Sequence, residues 1–176
     1  DSFVKSLDLF QSRLEGGIAS KLETSRAQAA ASQAAATIPE IDVPWDEWLE
    51  TCALPFKSAI KANVDMVMLR HLRYERIDYK PMSISKVAVR ALREELGFEG
   101  VIVTDDLSMG ALADWDPLDV VSQAIDAGVD VLLYGSPALG WDALIDHVIG
   151  MVSDGIVERQ EINQRAERIV ALKLRH

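Results

Sequence analysis

The chain has 176 residues, 49% of them apolar and 26% charged, and its 28 acidic against 18 basic residues give a net charge of −10. These values fit one globular domain over residues 1 to 176 with a sizeable core, and they exclude a disordered or fibrous chain. Because no basic stripe is present to neutralise phosphates, we expect no nucleic-acid partner.

Targeting signals are not recognisable in the sequence. No apolar run approaches the roughly 18 to 20 residues that a membrane-spanning helix needs, and the first ten residues, DSFVKSLDLF, lack the regions of a signal peptide. The single cysteine, Cys52, cannot form an internal disulfide, which fits a reducing compartment. We therefore expect a cytoplasmic protein without a membrane partner.

Short apolar runs alternate with longer stretches of helical period, a pattern typical of βα units and a parallel sheet. The continuous apolar letters VIV and VLL in the last two predicted strands indicate burial on both faces. Strands are predicted at residues 17 to 21, 64 to 69, 100 to 104 and 129 to 134. Helices are predicted at residues 2 to 15, 45 to 62, 84 to 96 (opened by Ser83), 117 to 127, 141 to 153 and 158 to 175.

Two segments interrupt this pattern. Residues 23 to 37, ETSRAQAAASQAAAT, have strong helix propensity but few large apolar side chains, which predicts an exposed helix or a mobile loop. Residues 70 to 83, RHLRYERIDYKPMS, follow a strand and carry mixed charge without clean periodicity. They predict a loop at the carboxyl end of the sheet, where parallel sheets place ligands.

The strand count sets the fold class as α/β with parallel βα repeats. Four such strands form either an open sheet covered by helices or part of a TIM-type (β/α)8 barrel. A whole barrel usually takes about 250 residues, more than this chain has, so the pattern favours half of a barrel within the second alternative.

The stretch GFEGVIVTDDLSMGAL, residues 97 to 112, ends a predicted buried strand on two adjacent acids, Asp105 and Asp106. Adjacent side chains of an extended strand point to opposite sides, so one carboxylate can face the open end of the sheet while the other caps a helix. A cap needs only one carboxylate. A functional and a structural interpretation of the pair are both open on the residues alone.

The segment LREELGFEGVIVTDDLSMGAL closely resembles the nucleophile segment of glycoside hydrolase family 3, in particular its bacterial β-N-acetylhexosaminidase branch. The family pattern is a basic residue, an L-G-F-x-G turn, three apolar residues, Ser or Thr, and the nucleophilic Asp. Arg93, residues 96 to 103, Thr104 and Asp105 match it. Residues 54 to 74, 126 to 137 and 167 to 175 are similar to the sixth strand, the eighth strand and the closing helix of the family's barrel, so the resemblance covers most of residues 40 to 176.

The resemblance implies a barrel hydrolase that removes terminal N-acetylglucosamine, on substrates of the peptidoglycan-fragment type, with retention of configuration and no cofactor. In such enzymes an ionised carboxylate attacks the anomeric carbon while a second group protonates the leaving oxygen. The resemblance assigns the attack to Asp105. It implies substrate contacts for Lys21, His71, Asp106 and Met109.

The departure from the family lies upstream of residue 40. This branch carries its acid/base histidine on a loop resembling K-H-F-P-G-H-G, where the present chain has KLETSRAQAAASQAAATIP at residues 21 to 39. Lys21 and the pair Ile38-Pro39 align with the ends of the family's run, but its histidines and partner acid are absent. We therefore interpret residues 23 to 37 as a replaced loop, and we expect the C-terminal half of the barrel without strands one to four.

The role of His71 stays open, since a histidine at this place either bonds a backbone carbonyl or contacts the sugar and handles its proton. Trp45 and Trp48, three residues apart, either pack a helix onto the sheet or stack on a sugar. The three histidines are scattered and Cys52 has no partner, so we expect no metal site.

Two functions follow from these observations. The first is a family 3 hydrolase that is impaired as this chain alone, because acid catalysis is commonly worth about 100- to 10,000-fold. The second is a non-catalytic half-barrel module for assembly or weak carbohydrate binding. A homodimer, or a separate N-terminal half, would cover the exposed sheet edges. Anion binding at residues 135 to 137, GSP, is a weaker third interpretation.

Overall fold

The computed structural model describes residues 37 to 175, and the chain divides into two units. The larger unit comprises residues 38 to 108 and residues 114 onward. The described part of the smaller unit is Thr37 and Met109–Ala113, in which Gly110–Leu112 form one turn of 3-10 helix. The predicted helix at 2 to 15, the predicted strand at 17 to 21 and nearly all of the Ala-rich segment lie outside the described residues.

The described residues of the larger unit form parallel strands connected by helices. The strands are β1 (Glu40–Ile41), β2 (Met66–Leu69), β3 (Arg73–Tyr74) and β4 (Val101–Thr104). The helices are α1 (Trp45–Glu50), α2 (Leu54–Lys61), α3 (Lys86–Arg90), α4 (Pro117–Ala127), α5 (Trp141–Ser153) and α6 (Arg159–Arg175). The strand pairs β1–β3 and β2–β4 are both parallel, which confirms the predicted α/β class.

The pair β2–β4 forms a two-stranded parallel sheet of its own and confirms two predicted strands. It runs in register from Met66 opposite Val101 to Leu69 opposite Thr104. All four residues of β4 are buried, as its continuous apolar letters predict. The residues of β2 alternate between exposed and buried, so one face of this strand packs on the core while the other is open.

The strand predicted at residues 129 to 134 is only partly present. One parallel bridge joins Val131 to Val103. Beyond it the N–H of Leu133 donates to the side-chain oxygen of Thr104 at 3.0 Å instead of to a backbone carbonyl. The regular ladder of backbone hydrogen bonds stops here, because a side-chain oxygen accepts this N–H in place of a backbone carbonyl. Leu133 is exposed, so the prediction that VLL is buried on both faces is wrong.

The single helix predicted at residues 45 to 62 is wrong, because the chain breaks between α1 and α2. Pro55 has no N–H to donate to the carbonyl of Thr51, and its ring would clash with that carbonyl in a continuous helix. The N–H and the hydroxyl of Thr51 both donate to the carbonyl of Glu47, at 2.9 and 2.5 Å. Pro55 then occupies the first turn of α2, where a missing donor is tolerated.

The helix predicted at residues 84 to 96 is opened by a different serine from the one expected. The side-chain oxygen of Ser85 accepts the N–H of Ala88 at 3.1 Å and caps α3. Ser83 instead lies in the 3-10 turn Met82–Ile84, and its hydroxyl is hydrogen-bonded to His71. Beyond α3 the helix widens into a π-helical segment, Ala91–Glu95, and the chain then turns at Gly97.

The predicted helices at residues 117 to 127, 141 to 153 and 158 to 175 are confirmed as α4, α5 and α6. Helix α4 has well-defined ends. Asp116 accepts the N–H groups of Leu118 and Asp119 at 2.9 and 3.1 Å, and Gly128 closes the helix with a φ of 96°. Within residues 37 to 175, no helix combines the length and apolar character that a membrane crossing needs.

The predicted loop at residues 70 to 83 contains a short strand that the sequence does not indicate. Strand β3 pairs with β1, and Arg73 forms an ion pair with Glu40 across the pair. Asp78 accepts the hydroxyl of Ser85 at 2.6 Å, which connects this segment to the start of α3. The remainder of the segment is irregular apart from the 3-10 turn.

Two apolar clusters form the described core. The first packs β2 and β4 against α3, and the second joins α4 to α5. The first contains Val67, Leu69, Met82, Ala88, Val89, Leu92, Phe98, Ile102, Ala127 and Val129. The second contains Val121, Ile125, Leu144, Met151 and Val157. The first cluster therefore packs the strands against a helix, and the second packs two helices against each other.

A buried carboxylate fixes the amino-terminal end of β4. The side chain of Asp130 is fully buried and accepts hydrogen bonds from Arg93 at 2.6 Å, from Arg168 at 2.8 Å and from the N–H of Ile102 at 2.8 Å. Arg93 also donates to the carbonyls of Phe98 and Gly100, both at 2.7 Å. The basic residue of the family pattern therefore holds the turn that leads into β4.

Replacement of Asp130 by Asn should lower the free energy of unfolding by about 3 to 5 kcal/mol, because two arginines lose their buried counter-charge. The exposed pair Arg90–Glu94 is the control, and Glu94→Gln should change stability by less than about 0.5 kcal/mol. Urea unfolding followed by circular dichroism measures both. Equal effects of the two substitutions would contradict this role of Asp130.

Candidate functional site

The carboxyl end of β4 is held by Thr104, whose side chain is fully buried. Its N–H donates to the carbonyl of Val131 at 3.0 Å, and its hydroxyl oxygen accepts the N–H of Leu133 at 3.0 Å. On the far side of the two acids, the N–H of Leu107 donates to the carbonyl of Leu133 at 2.9 Å. The backbone is therefore anchored both before and after Asp105 and Asp106.

Asp105 is half-buried at the end of β4. Its N–H donates to the carbonyl of Leu69 at 2.8 Å, which continues the pairing with β2. One carboxylate oxygen accepts the N–H of Asp106 at 2.9 Å. The second oxygen has no hydrogen-bond partner among the residues that the structure describes, so it is the oxygen available to react with a substrate.

Asp106 connects two loops and does not cap a helix. Its Oδ1 accepts the N–H of Ser108 at 2.9 Å, the hydroxyl of Ser108 at 2.5 Å and the N–H of Gly135 at 2.9 Å. A Cβ atom at position 135 would lie 2.6 Å from the other carboxylate oxygen of Asp106, so only glycine allows this approach. The alternative that one acid caps the following helix is thereby excluded for Asp106.

Hydrogen bonding controls the ionisation of Asp106. Partial burial by itself would raise the pKa of this carboxyl, but the hydrogen bonds from Ser108 and Gly135 outweigh that effect and hold the pKa below its usual range. The negative charge in turn adds to the burial that raises the pKa of Tyr134. Asp106 is therefore a carboxylate at neutral pH.

His71 is 4% exposed and both ring nitrogens have protein partners. Nε2 lies 2.9 Å from the carbonyl oxygen of Asp106, and Nδ1 lies 2.7 Å from the hydroxyl of Ser83. A carbonyl only accepts, so Nε2 carries the hydrogen, and in the neutral ring Nδ1 accepts the hydroxyl of Ser83. In this geometry His71 orients the backbone of Asp106 and presents no free nitrogen to a sugar.

The loop at residues 135 to 137 does not offer the amides that anion binding would need. The N–H of Gly135 donates to Asp106, and the N–H of Ser136 faces the hydroxyl of Ser108 at 3.4 Å. The loop thus binds a carboxylate of the chain itself. Among residues 37 to 175, no group of three or more His, Cys, Asp and Glu side chains is arranged to hold a metal ion.

Residues 26 to 172 match the family described as the glycosyl hydrolase family 3 N-terminal domain. The matched part is well over half of the sequence. This chain belongs to glycosyl hydrolase family 3. The predicted family is therefore confirmed.

Curated relatives of this family 3 chain are longer proteins. An uncharacterized secreted glycosyl hydrolase of Arthroderma benhamiae is 33% identical over 141 residues, which are 77% of this chain and 40% of that protein. A β-hexosaminidase of Vibrio cholerae serotype O1 is 40% identical over 99 residues, which are 53% of this chain and 30% of that protein. This chain thus spans 40% or less of the length of either relative.

Solved structures of family 3 enzymes share the fold. A β-N-acetylglucosaminidase from Paenibacillus matches with a TM-score of 0.73 at 28% identity, over 80% of this chain and 28% of that one. A β-N-acetylhexosaminidase from Beutenbergia cavernae matches with a TM-score of 0.69 at 29% identity, over 79% of this chain and 42% of that one. The N-terminal domains of such neighbours are of TIM-barrel type, which confirms the predicted fold type at that level.

The structure brings together three of the predicted site residues, since Asp105, Asp106 and His71 all lie where β2 and β4 end. Lys21 lies outside the described residues. Met109 belongs to the smaller unit, where its carbonyl accepts the N–H of Leu112 at 3.1 Å. The substrate contacts of Lys21 and Met109 stay predictions.

Sequence reasoning missed the partners that hold the two acids in place. Ser83, Ser108 and Gly135 each bond to His71 or Asp106. A serine two residues after an aspartate is a recognisable turn signal, because the carboxylate accepts the N–H two positions on. The pairing of Ser83 with His71 and of Gly135 with Asp106 spans 12 and 29 residues, and no local pattern indicates it.

Replacement of Asp106 by Asn should lower the free energy of unfolding at pH 7 by about 1 kcal/mol, because a charged acceptor becomes neutral. The pKa of Asp106 is lower in the folded than in the unfolded chain, so its charge stabilises the fold above about pH 4 and this contribution is lost as pH falls through the folded-state pKa. The urea midpoints of the two proteins should therefore converge as the pH is lowered from 7 through the folded-state pKa of Asp106.

The control for this substitution is Asp114→Asn, at an exposed position. This substitution should leave the urea midpoint close to that of the parent both at pH 7 and at acid pH. A stability difference between the parent and Asp106→Asn that did not shrink as the pH was lowered from 7 into the acid range would contradict the assigned hydrogen bonding.

Proposed function

We propose that this chain carries the nucleophile of a retaining β-N-acetylhexosaminidase, with Asp105 as the attacking group. The observation that carries the proposal is the different hydrogen bonding of two adjacent carboxylates. Asp106 uses one oxygen to bind three donors of the protein, whereas Asp105 keeps one oxygen without a partner among the described residues. A carboxylate oxygen without a protein partner at the carboxyl end of a barrel-type strand is typical of a catalytic group.

The first half of the reaction needs only Asp105 and an adequate leaving group. The free oxygen of Asp105 bonds to the anomeric carbon as the bond from that carbon to the leaving oxygen breaks, and a glycosyl ester remains on the protein. Water then attacks the same carbon, the bond from that carbon to Asp105 breaks to release the carboxylate, and the water's proton passes to the solvent. The two displacements together retain the configuration.

A proton donor for the leaving oxygen is not supplied by the described histidines. His71 is bound by Ser83 and Asp106, and Nε2 of His147 lies 2.7 Å from the hydroxyl of Ser122, between α4 and α5. Loss of general acid catalysis commonly costs about 100- to 10,000-fold. We therefore propose that the chain alone is an impaired hydrolase, selective for leaving groups that need no proton.

The substrate class is proposed from the relatives. The curated relative from Vibrio cholerae is named a β-hexosaminidase, and the solved relatives from Paenibacillus and Beutenbergia are a β-N-acetylglucosaminidase and a β-N-acetylhexosaminidase. A terminal amino sugar is therefore the proposed substrate of this chain. Peptidoglycan fragments as its natural source, and a cytoplasmic location, stay predictions.

We further propose a half barrel of about four strands that acts with a second copy of the chain or with a separate N-terminal half. The open face of β2, with Met66 and Met68 exposed, supports such a partner because apolar strand residues are normally covered. The α5 side chains Trp141, Ile145 and Ile149 are also more than half exposed. An apolar strip of this kind is typical of an interface.

The non-catalytic module is the second candidate. Both ring nitrogens of His71 are hydrogen-bonded to the protein, so His71 has no free N–H to protonate a leaving group. This favours the non-catalytic module, because a working hydrolase needs a proton donor near Asp105. The two candidates differ in their chemistry toward an activated glycoside. A module binds such a compound without cleaving it.

Hydrolysis of 2,4-dinitrophenyl N-acetyl-β-glucosaminide tests the proposal, because this leaving group departs without protonation. The chain should release dinitrophenolate faster than buffer does, and Asp105→Ala should reduce the protein-dependent rate at least about 100-fold. Azide added to Asp105→Ala should restore release and give the α-glycosyl azide, since the small anion attacks from the side that Asp105 leaves open.

The matched control is Asp114→Ala, which makes the same change at an exposed position and should retain the parent rate. Equal rates for the parent and Asp105→Ala, or a rate no higher than that of buffer, would overturn the hydrolase and favour the module.

A further inference from the structure

A cavity with apolar, mostly aromatic walls lies where α1 and α2 meet β2, β3 and α3, and its volume is about 130 Å³. Its lining includes Trp45, Trp48, Phe56, Met68, Tyr74 and Ala91. Arg70 also lines the cavity but is exposed, so its charge can stay in water. Asp105, Asp106 and His71 do not line it. The cavity is therefore separate from the candidate site, and the proposed function makes no use of it.

Two small side chains keep this cavity open. Ala88 of α3 and Ala91, the first residue of the π-helical segment, are both buried and both line it. Protein interiors contain few voids larger than a water molecule, and an empty cavity destabilises the fold in proportion to its volume. Short π-helical segments occur frequently at functional sites. A void that larger residues at positions 88 and 91 would fill is therefore typical of a ligand-binding cavity.

The cavity wall contains a buried hydrogen-bond donor, Nε1 of Trp48, that has no partner among the residues that the structure describes. Packing fixes this indole, because it stacks on Trp45 with centroids 5.3 Å apart and meets Tyr74 edge-on at 6.2 Å. Burial raises the pKa of Tyr74 and the nearby indole N–H partly offsets that rise, although the two groups form no hydrogen bond. A buried N–H without an acceptor is costly, so an acceptor atom on a ligand would supply the missing bond.

We infer that this cavity binds a small neutral aromatic molecule that carries a hydrogen-bond acceptor, and that Nε1 of Trp48 donates to that acceptor. The size limits the ligand to about one ring, since an apolar cavity of about 150 Å³ holds one molecule of benzene. Aromatic walls favour a flat apolar ring. A sugar does not match, because its hydroxyls would lose their hydrogen bonds to water among walls that replace few of them. The inference goes beyond the proposed function and does not depend on it.

Benzene and pyridine test the inference, because the two rings have nearly the same shape and only pyridine carries an acceptor. Titration calorimetry in sealed cells at neutral pH, where pyridine is uncharged, measures both dissociation constants for the whole chain. Both probes should bind the parent. Trp48→Phe keeps an aromatic ring but removes the N–H, so it should weaken pyridine relative to benzene by at least about fivefold. Ala91→Leu should fill the cavity and abolish binding of both probes.

The matched control is Trp45→Phe, the same change in the stacked neighbour, and it should keep the parent's ratio of the two dissociation constants. Thermal unfolding of each variant by circular dichroism checks that the fold is intact, and Ala88→Leu fills the same cavity if Ala91→Leu does not fold. The inference would be overturned if neither probe bound the parent, if binding survived filling of the cavity, or if Trp48→Phe left the ratio unchanged. Failure of the proposed hydrolysis would leave all of these binding results as they are.

Discussion

The arrangement of the candidate site depends on the hydrogen bonds that the Asp106 carboxylate accepts from Ser108 and Gly135. These bonds span from the end of β4 to the loop after residue 134, and they complete a pairing that Thr104 begins with its hydroxyl. Where β4 ends, two side chains thus accept the N–H groups of Leu133 and Gly135 in place of backbone carbonyls. Asp106 therefore makes the hydrogen bonds that hold the two loops together. Asp105 keeps one carboxylate oxygen without a partner among the described residues, and that oxygen can react with a substrate.

Under the proposed function, the same division of roles lets the fold hold Asp105 in place without the acid-bearing loop of the family pattern. The groups that hold Asp105 belong to β2, β4 and the segment after α4, all within the described larger unit. None of them depends on a proton donor. A barrel-type fold tolerates this separation, because its functional residues come from different loops mounted on a common scaffold. Under the proposed function, absence of one loop would remove a step of the reaction and leave Asp105 in place.

Local patterns in the sequence predicted much of the fold. Asp116, Pro117 and Gly128 mark the ends of α4, and the apolar run of β4 predicts its burial. Predictions failed where a tertiary contact or a single residue overrode the local period. Pro55 divided the helix at 45 to 62, His71 took the hydroxyl of Ser83, and the hydroxyl of Thr104 ended the ladder at Leu133.

The sequence indicates the residue proposed as nucleophile but not the residues that support it. Asp105 follows from a specific family pattern, whereas Gly135 becomes informative only when the fold brings distant segments together. The most direct measurement is mass spectrometry of the chain after reaction with 5-fluoro-N-acetylglucosaminyl fluoride, whose ester hydrolyses slowly. The account predicts a gain of one glycosyl group, mapped by peptide sequencing to Asp105. An unlabelled chain, or a label on Asp106, would contradict it.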